Sequence, residues 1–364
     1  MAHFRRILFV LSALAILRAQ PAPAPDVIVF TNGDRITGHL IEANDSKVIF
    51  KHDGLGELTI EWSKIKELRT AGQVAVIRQG VKISRDENVS AVPHGTLAAD
   101  GQTLQLAPAQ SIPVKDAAAV VPEPDFRNAV TRRPGITEDW KGAITLGATL
   151  VQATQNNRTF NGAISLSRIE PAEAWMNPQN RTDFNASATY GENTQPNTPA
   201  IKTSIFHADL QRDQYLTRSI FAFGAAAYDH NFSQGLDLQQ TYAGGIGWTA
   251  INTPVHILNL KAAMSYIRQE FTTGPTENLI GSVFSEDYTR KLWHGAGIAQ
   301  KASFTQSWNN TDAYIAYFSA LFTMPVYKRI SGSTGVINTY LNNPPPGFKK
   351  NSFQFILGLT YSIE

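Results

Sequence analysis

Hydrophobic and polar positions alternate with a period of two along most of the chain beyond residue 140, most plainly in its last stretch, NSFQFILGLTYSIE. There Phe353, Phe355, Leu357, Leu359, Tyr361 and Ile363 fall on one face. Ser352, Gln354, Gly358, Thr360 and Ser362 fall on the other, with Ile356 the exception. Successive side chains of a strand point to opposite faces, so such a run predicts a strand with one apolar and one polar surface. Trp140 to Leu150, Thr182 to Tyr190 and Leu258 to Tyr266 repeat the pattern. About twelve runs of ten to fifteen residues follow one another, each long enough to cross a bilayer at the tilt that barrels adopt. The run Ser282–His294 is ambiguous, because Phe284, Tyr288 and Leu292 share a face with Glu286 and Arg290.

The turns between the runs alternate too. INTPVH and TRKLWHG are short, whereas ENTQPNTPAIKTS, DHNFSQGLDLQ, FTTGPTENLIG and NNPPPGFKKN are longer and rich in Asn, Pro, Gly and Thr. Outer-membrane barrels have this asymmetry of short periplasmic turns and longer outer loops. EPAEAWMNPQN should be short in that scheme and is not.

Residues 26–121 follow a different pattern: short strands and tight turns, with Asn32-Gly33 and Asn44-Asp45 between alternating segments. Both predict hairpins, since these residues tolerate positive φ. GHLIEANDSKVIF…LTIEWSKIKEL can be laid beside GTLAADGQTLQL…QSIPVKDAAAV, which predicts two related halves. Shared turn chemistry of β-rich segments is the competing explanation. Residues 122–137, with Pro122, Pro124 and Pro134 and no clear periodicity, predict a linker.

The amino-terminal stretch has Arg5 and Arg6, an apolar segment from Ile7 to Leu17 and a small residue at Ala19. This is the layout of a secretory signal, residues 1–19, too short to span a bilayer comfortably. The chain has no cysteine, so neither disulfides nor a thiol-linked lipid anchor is expected after export. Charged residues make up only 17% of its 364 residues, and the net charge of +2 carries no argument for nucleic acid.

Alternation alone does not separate a barrel in lipid from a large soluble sheet. The export signal, the final strand at the carboxyl end, and Trp140, Trp248, Trp293, Trp308, Tyr190, Tyr327 and Tyr340 near predicted turns favour lipid. The expected fold is all-β: a carboxyl-terminal antiparallel transmembrane β-barrel of about 12 strands over residues 138–364, preceded by a small periplasmic β-domain. In lipid the last strand must pair with the first, WKGAITLGATLVQA, to satisfy its backbone.

The closing strand, with Tyr340, Asn343, Pro344, Pro345, Gly347, Lys349, Lys350 and Asn351 before it, resembles the end of the salt-induced outer-membrane protein family, or domain of unknown function 481. NGDRITGHL is similar to the small barrel-like module that often precedes it. The resemblance covers about residues 135–364 and 26–70, and implies place and fold rather than an activity.

No catalytic, cofactor-binding or metal site is expected. The eight histidines show no pairing at metal-ligand spacing, and Gly-x-Ser-x-Gly is absent. GGIGW, Gly244 to Trp248, lacks the helix and lysine of a phosphate loop and suits close strand packing or lumen space. His207 and Asp209 lie two apart on the expected inner face, and Lys141, Lys261, Lys301 and Asp183 give that face mixed charge. The function expected is an envelope barrel, structural or binding or passing small solutes or lipids, without catalysis. Two alternatives stand beside it: an outer-membrane enzyme acting on lipid or lipopolysaccharide, with His207 as candidate base, and a soluble exported carbohydrate-binding β-protein. Expected partners are outer-membrane lipids and lipopolysaccharide and the barrel-assembly machinery, not nucleic acid. A periplasmic partner for the N-terminal module is left open, with that module and the C-terminus placed on the periplasmic side.

Overall fold

The computed structural model describes residues 24–81, 83–85, 92–152, 156–173, 175–195 and 198–363. The expected signal segment lies outside them. The chain divides into two units, one ending at Val130 and the other comprising Thr131–Glu364 together with Lys82–Arg85.

The first unit is a nine-stranded antiparallel sheet: β1 (Asp26–Phe30), β2 (Arg35–Ala43), β3 (Lys47–His52), β4 (Gly56–Glu61), β5 (Ile65–Arg78), β6 (His94–Ala99), β7 (Thr103–Leu106), β8 (Gln110–Pro113) and β9 (Ala117–Pro122). β1 pairs with β2 and β5, and β9 pairs with the same two, so these four strands close a ring. The core is apolar, built on Ile28, Val48, Phe50, Leu68, Leu104 and Val120.

The two segments that the sequence sets side by side fold alike. β2, β3, β4, a 3-10 turn at Trp62–Lys64 and β5 match β6, β7, β8, a 3-10 turn at Val114–Asp116 and β9. Leu40↔Phe50 and Val48↔Ile60 in the first half correspond to Leu97↔Leu106 and Leu104↔Ile112 in the second. A bulge between Leu40 and Glu42 accounts for the one extra residue in β2. Asn44 accepts from the backbone N–H of Ser46 and Lys47, and Asp100 from those of Gln102 and Thr103. The leading glycines are equivalent: a Cβ at Gly38 would lie 2.1 Å from the Lys51 carbonyl oxygen, and at Gly95 2.2 Å from that of Ala107. The halves are joined crosswise. Leu68 of β5 pairs with Ala99 of β6, and Val120 of β9 pairs with Ala43 of β2, at equivalent positions.

The linker expected over residues 122–137 is corrected in its first half. Glu123–Thr131 is a helix, α1, whose Phe126 is fully buried with Val130 beside it. Pro124 signals a break only in the interior of a helix; in the first turn its missing N–H removes no intrahelical bond. Phe126 and Val130, four apart, make the buried stripe, and Glu123 meets Arg127 on the same spacing.

The second unit is a closed twelve-stranded barrel in which each strand pairs with its neighbours in sequence. Its strands are β10 (Lys141–Gln152), β11 (Asn156–Glu170), β12 (Asn180–Thr194), β13 (Ile201–Tyr215), β14 (Ile220–Asn231), β15 (Leu236–Asn252), β16 (His256–Phe271), β17 (Glu277–Lys291), β18 (Gly297–Ser307), β19 (Tyr314–Tyr327), β20 (Ile330–Leu341) and β21 (Asn351–Ile363). β21 closes on β10 from Gly142↔Ile363 to Leu146↔Leu359, and the hydroxyls of Thr145 and Thr360 meet at 2.8 Å on the inside of that seam.

The outward row of β21, Phe353 through Tyr361, is exposed, as are Leu146, Phe206, Leu210, Ile246, Met264, Phe284 and Phe304 around the ring. An apolar belt of this extent on a closed sheet is the surface that hydrocarbon covers. Trp248, Trp293 and Tyr327 are exposed near the end where the barrel begins and finishes, and Tyr190 and Trp308 near the far end. The ambiguous run belongs to β17, which turns Phe284, Glu286, Tyr288 and Arg290 outward and Ser285 and Asp287 inward. The long connection from Glu170 to Asn180 closes by a 2.7 Å bond from Gln179 N–H to the Glu170 carbonyl and buries Met176.

Candidate functional site

The inward rows of the barrel carry charge. On β12 Arg181 and Asp183 point inward; Arg181 reaches Asp213 of β13 at 2.6 Å and Asp183 at 3.1 Å. The Asp213 side chain is 0% exposed, and the guanidinium lies 5.3 Å from the centre of the Phe221 ring. Lys261 of β16 meets Asp287 of β17 at 2.7 Å and sits 5.7 Å from the Phe223 ring centre. Glycines make room for these rings. Within GGIGW, a Cβ at Gly247 would lie 2.2 Å from Phe221, so this glycine is lumen space, whereas at Gly245 it would lie 2.1 Å from the Ala262 carbonyl oxygen, so that one serves close strand packing.

Several bonds span strands that are not neighbours. Lys261 Nζ donates to Gln211 Oε1 at 2.8 Å, from β16 to β13. Thr189 Oγ1 donates to Gln354 Oε1 at 3.0 Å, from β12 to β21. Lys301 of β18 interacts electrostatically with Asp209 of β13 and Asp287 of β17. Acidic groups gather on β12–β14, with Asp183, Asp209, Asp213 and Asp229, and the two lysines stand on β16 and β18. With Arg181 and His207 among the acids and Asp287 between the lysines, the lumen is a polar, ion-paired interior of mixed charge.

His207 and Asp209 do meet, at 2.9 Å, within a larger group. His207 Nδ1 is 2.6 Å from Asp229, and Asp209 accepts at 2.9 Å from Asn185, which accepts from Ser165 at 2.6 Å. Asp229 was not found from sequence, because it lies on the next strand and faces His207 only through the register His207↔Asp229. An ionised carboxylate only accepts, so both ring nitrogens donate and the ring is an imidazolium. Ser187 is the cross-strand neighbour of His207, but neither nitrogen is free to take its proton. Lys141 stands exposed at the start of β10, apart from this group. Among the described residues no cluster of three or more His, Asp or Glu side chains forms a metal-binding group.

At the far mouth, two connections six strands apart on the ring fold inward and meet. A 3-10 turn at Phe232–Gln234, between β14 and β15, carries Gln234, which is 1% exposed. Its Nε2 donates to the carbonyls of Thr339 at 3.1 Å and Lys350 at 2.6 Å. From the β20–β21 connection, Asn343 Nδ2 donates to Gln269 Oε1 at 3.1 Å and Glu277 Oε2 at 3.0 Å. Phe348 covers Gly235, where a Cβ would lie 2.8 Å from its ring. Beneath, Ile267, Leu279 and Ala313 are buried with Ile315 against them.

A family model described as "Protein of unknown function, DUF481" matches residues 144–363. No curated protein matches the chain. Among solved structures, the NanC porin is similar at 9% identity and a TM-score of 0.37, over 61% of this chain and 100% of the porin chain. The β domain of the Bordetella autotransporter BrkA matches at 10% identity and a TM-score of 0.29, over 62% of this chain and 98% of its own. The translocator domain of the Neisseria meningitidis autotransporter NalP matches at 10% identity and a TM-score of 0.30, over 61% and 86%.

Proposed function

This chain belongs to the DUF481 family, and from that premise we propose that it is an outer-membrane barrel that binds or passes small polar solutes through a charge-lined lumen. The N-terminal module and both ends of the barrel chain face the periplasm in this reading, and the far mouth faces outward. The observation that carries it is the lumen network itself: Arg181, Lys261, Lys301 and imidazolium His207 set among Asp183, Asp209, Asp213, Asp229 and Asp287. Ion pairs taken out of water are often no more stabilising than apolar side chains of the same volume. A barrel serving only as an anchor is better filled with aliphatic groups, whereas a lumen lined with paired charges of both signs suits polar, zwitterionic or weakly charged solutes.

Outer-membrane lipid and lipopolysaccharide cover the belt, and the barrel-assembly machinery inserts it. Catalysis is not part of this reading, because His207, set between Asp209 and Asp229, has no free nitrogen to act as a base. The purified protein, folded in liposomes, is expected to admit small zwitterions or sugars in a swelling assay and to hydrolyse neither phospholipid nor lipopolysaccharide. Reproducible lipid hydrolysis lost on His207→Ala would refute the non-catalytic reading. Failure to admit or bind any small solute would refute the solute path.

A further inference from the structure

We propose that the β20–β21 connection is a hinged strap that shuts the far mouth, and that solutes pass only when it lifts from the turn opposite. This rests on the reading of the lumen as a solute path. The strap's root is fixed at Asn342, whose N–H donates to the Tyr314 carbonyl at 3.1 Å and whose Nδ2 donates to that of Asp312 at 2.7 Å. Lys350 Nζ donates to Asn342 Oδ1 at 2.8 Å and ties the other end of the strap to the same root.

Between these ends run Pro344, Pro345 and Pro346, followed by Gly347 with a φ of 91°. Three consecutive prolines make the arm stiff and leave it without N–H donors of its own, and the chain turns at Pro346 and Gly347. Gly347 supplies the positive φ of a turn closed by Phe348 N–H donating to the Pro345 carbonyl at 3.1 Å, with nothing within 4 Å of where a Cβ would be. The arm therefore moves as one piece.

Among the described residues, Asn343, Phe348 and the buried Pro345 seat the arm, and Gln234 binds its root. Asn343 reaches Gln269 and Glu277 on β16 and β17, Phe348 lies on Gly235, and Gln234 caps the strap's end from across the ring. None of these is an ion pair, and the strongest of them is the bond from Asn343 to the Glu277 carboxylate, because its acceptor is charged. Loop closures of this kind open and shut on a time scale compatible with transport.

The chain has no cysteine, so introduced thiols report on the strap alone. Gly235→Cys with Phe348→Cys places two sulfurs within bridging reach, since a Cβ at 235 lies 2.8 Å from the Phe348 ring. Asn343→Ala with Phe348→Ala removes the arm's hydrogen bonds to Gln269 and Glu277 and its ring over Gly235. The readout is flux of small zwitterions into liposomes and conductance in planar bilayers, with heat-dependent gel mobility as the check on folding. The oxidised double cysteine should lose flux and regain it on reduction, and the double alanine should gain about tenfold. Equal flux in oxidised, reduced, alanine and wild-type forms overturns the gate while leaving the solute path intact. No flux in any folded form overturns both. If the alanine variant does not fold, the oxidised and reduced forms of the cysteine variant alone decide the question.

Discussion

Leu357 and Ile356 are adjacent on β21, at the middle of its thirteen residues and so at nearly the same depth in the bilayer, yet they face opposite ways. Leu357 is 66% exposed on the outer surface, and Ile356 points into the lumen. Arginine at a lipid-facing site near the midplane costs about 2–4 kcal/mol, whereas a lumen site lets the guanidinium find water and carboxylates. Leu357→Arg should thus lower the folding equilibrium by roughly two orders of magnitude, taking about 1.4 kcal/mol per tenfold. Ile356→Arg should cost about 1 kcal/mol, for lost apolar packing in part offset by the polar surroundings. Urea titration of folding into thin-bilayer vesicles, followed by gel mobility, measures both. An Ile356→Arg cost equal to or above that of Leu357→Arg would mean that the face assignment is wrong and that the barrel is not lipid-exposed at this row.

Two predictions concern the N-terminal module. A fragment spanning residues 24–131 should fold alone, and one ending at 121 should be less stable by about 3–5 kcal/mol, because it lacks the buried Phe126; equal urea midpoints would show that α1 is dispensable. Asp100, held below the usual carboxylate range by the N–H groups of Thr103 and Gln102, should contribute stability present above about pH 4 and lost as pH falls through its lowered value. Asp100→Asn, which copies the Asn44 of the first half, should flatten that acid limb, as read by circular dichroism of the 24–131 fragment; an unchanged acid limb would remove Asp100 from the account.

The strands of the barrel were legible in the sequence because a period of two is local: Phe353 to Ile363 declares its two faces without reference to anything else in the chain. Closure followed from the same pattern, since backbone groups of an open edge find no partner in hydrocarbon. The lumen was legible only as a list of polar residues. Which of them meet depends on register, and His207 finds Asp229 through strand pairing that no spacing within one strand encodes. Lys261 and Gln211 were further out of reach, because their contact crosses the lumen and depends on how the ring closes. The helix α1 was hidden by Pro124, whose usual meaning reverses in a first turn. The strap could be read as a long loop from its Asn and Pro content, but its inward fold depends on Gln234, which lies on the opposite side of the ring.

The crosswise joining of the N-terminal module sets the order in which it is completed. β5 finishes the first half in sequence but lends its edge to β6, and the β2 edge at Ala43 waits for Val120. A chain emerging amino end first on export has no finished sheet until residue 120 is free, and during that interval the β2 edge is open to any extended segment that passes. Two unfinished copies held close together can trade equivalent halves, each supplying the strand the other awaits. The module is thus most exposed to error before its last strand arrives.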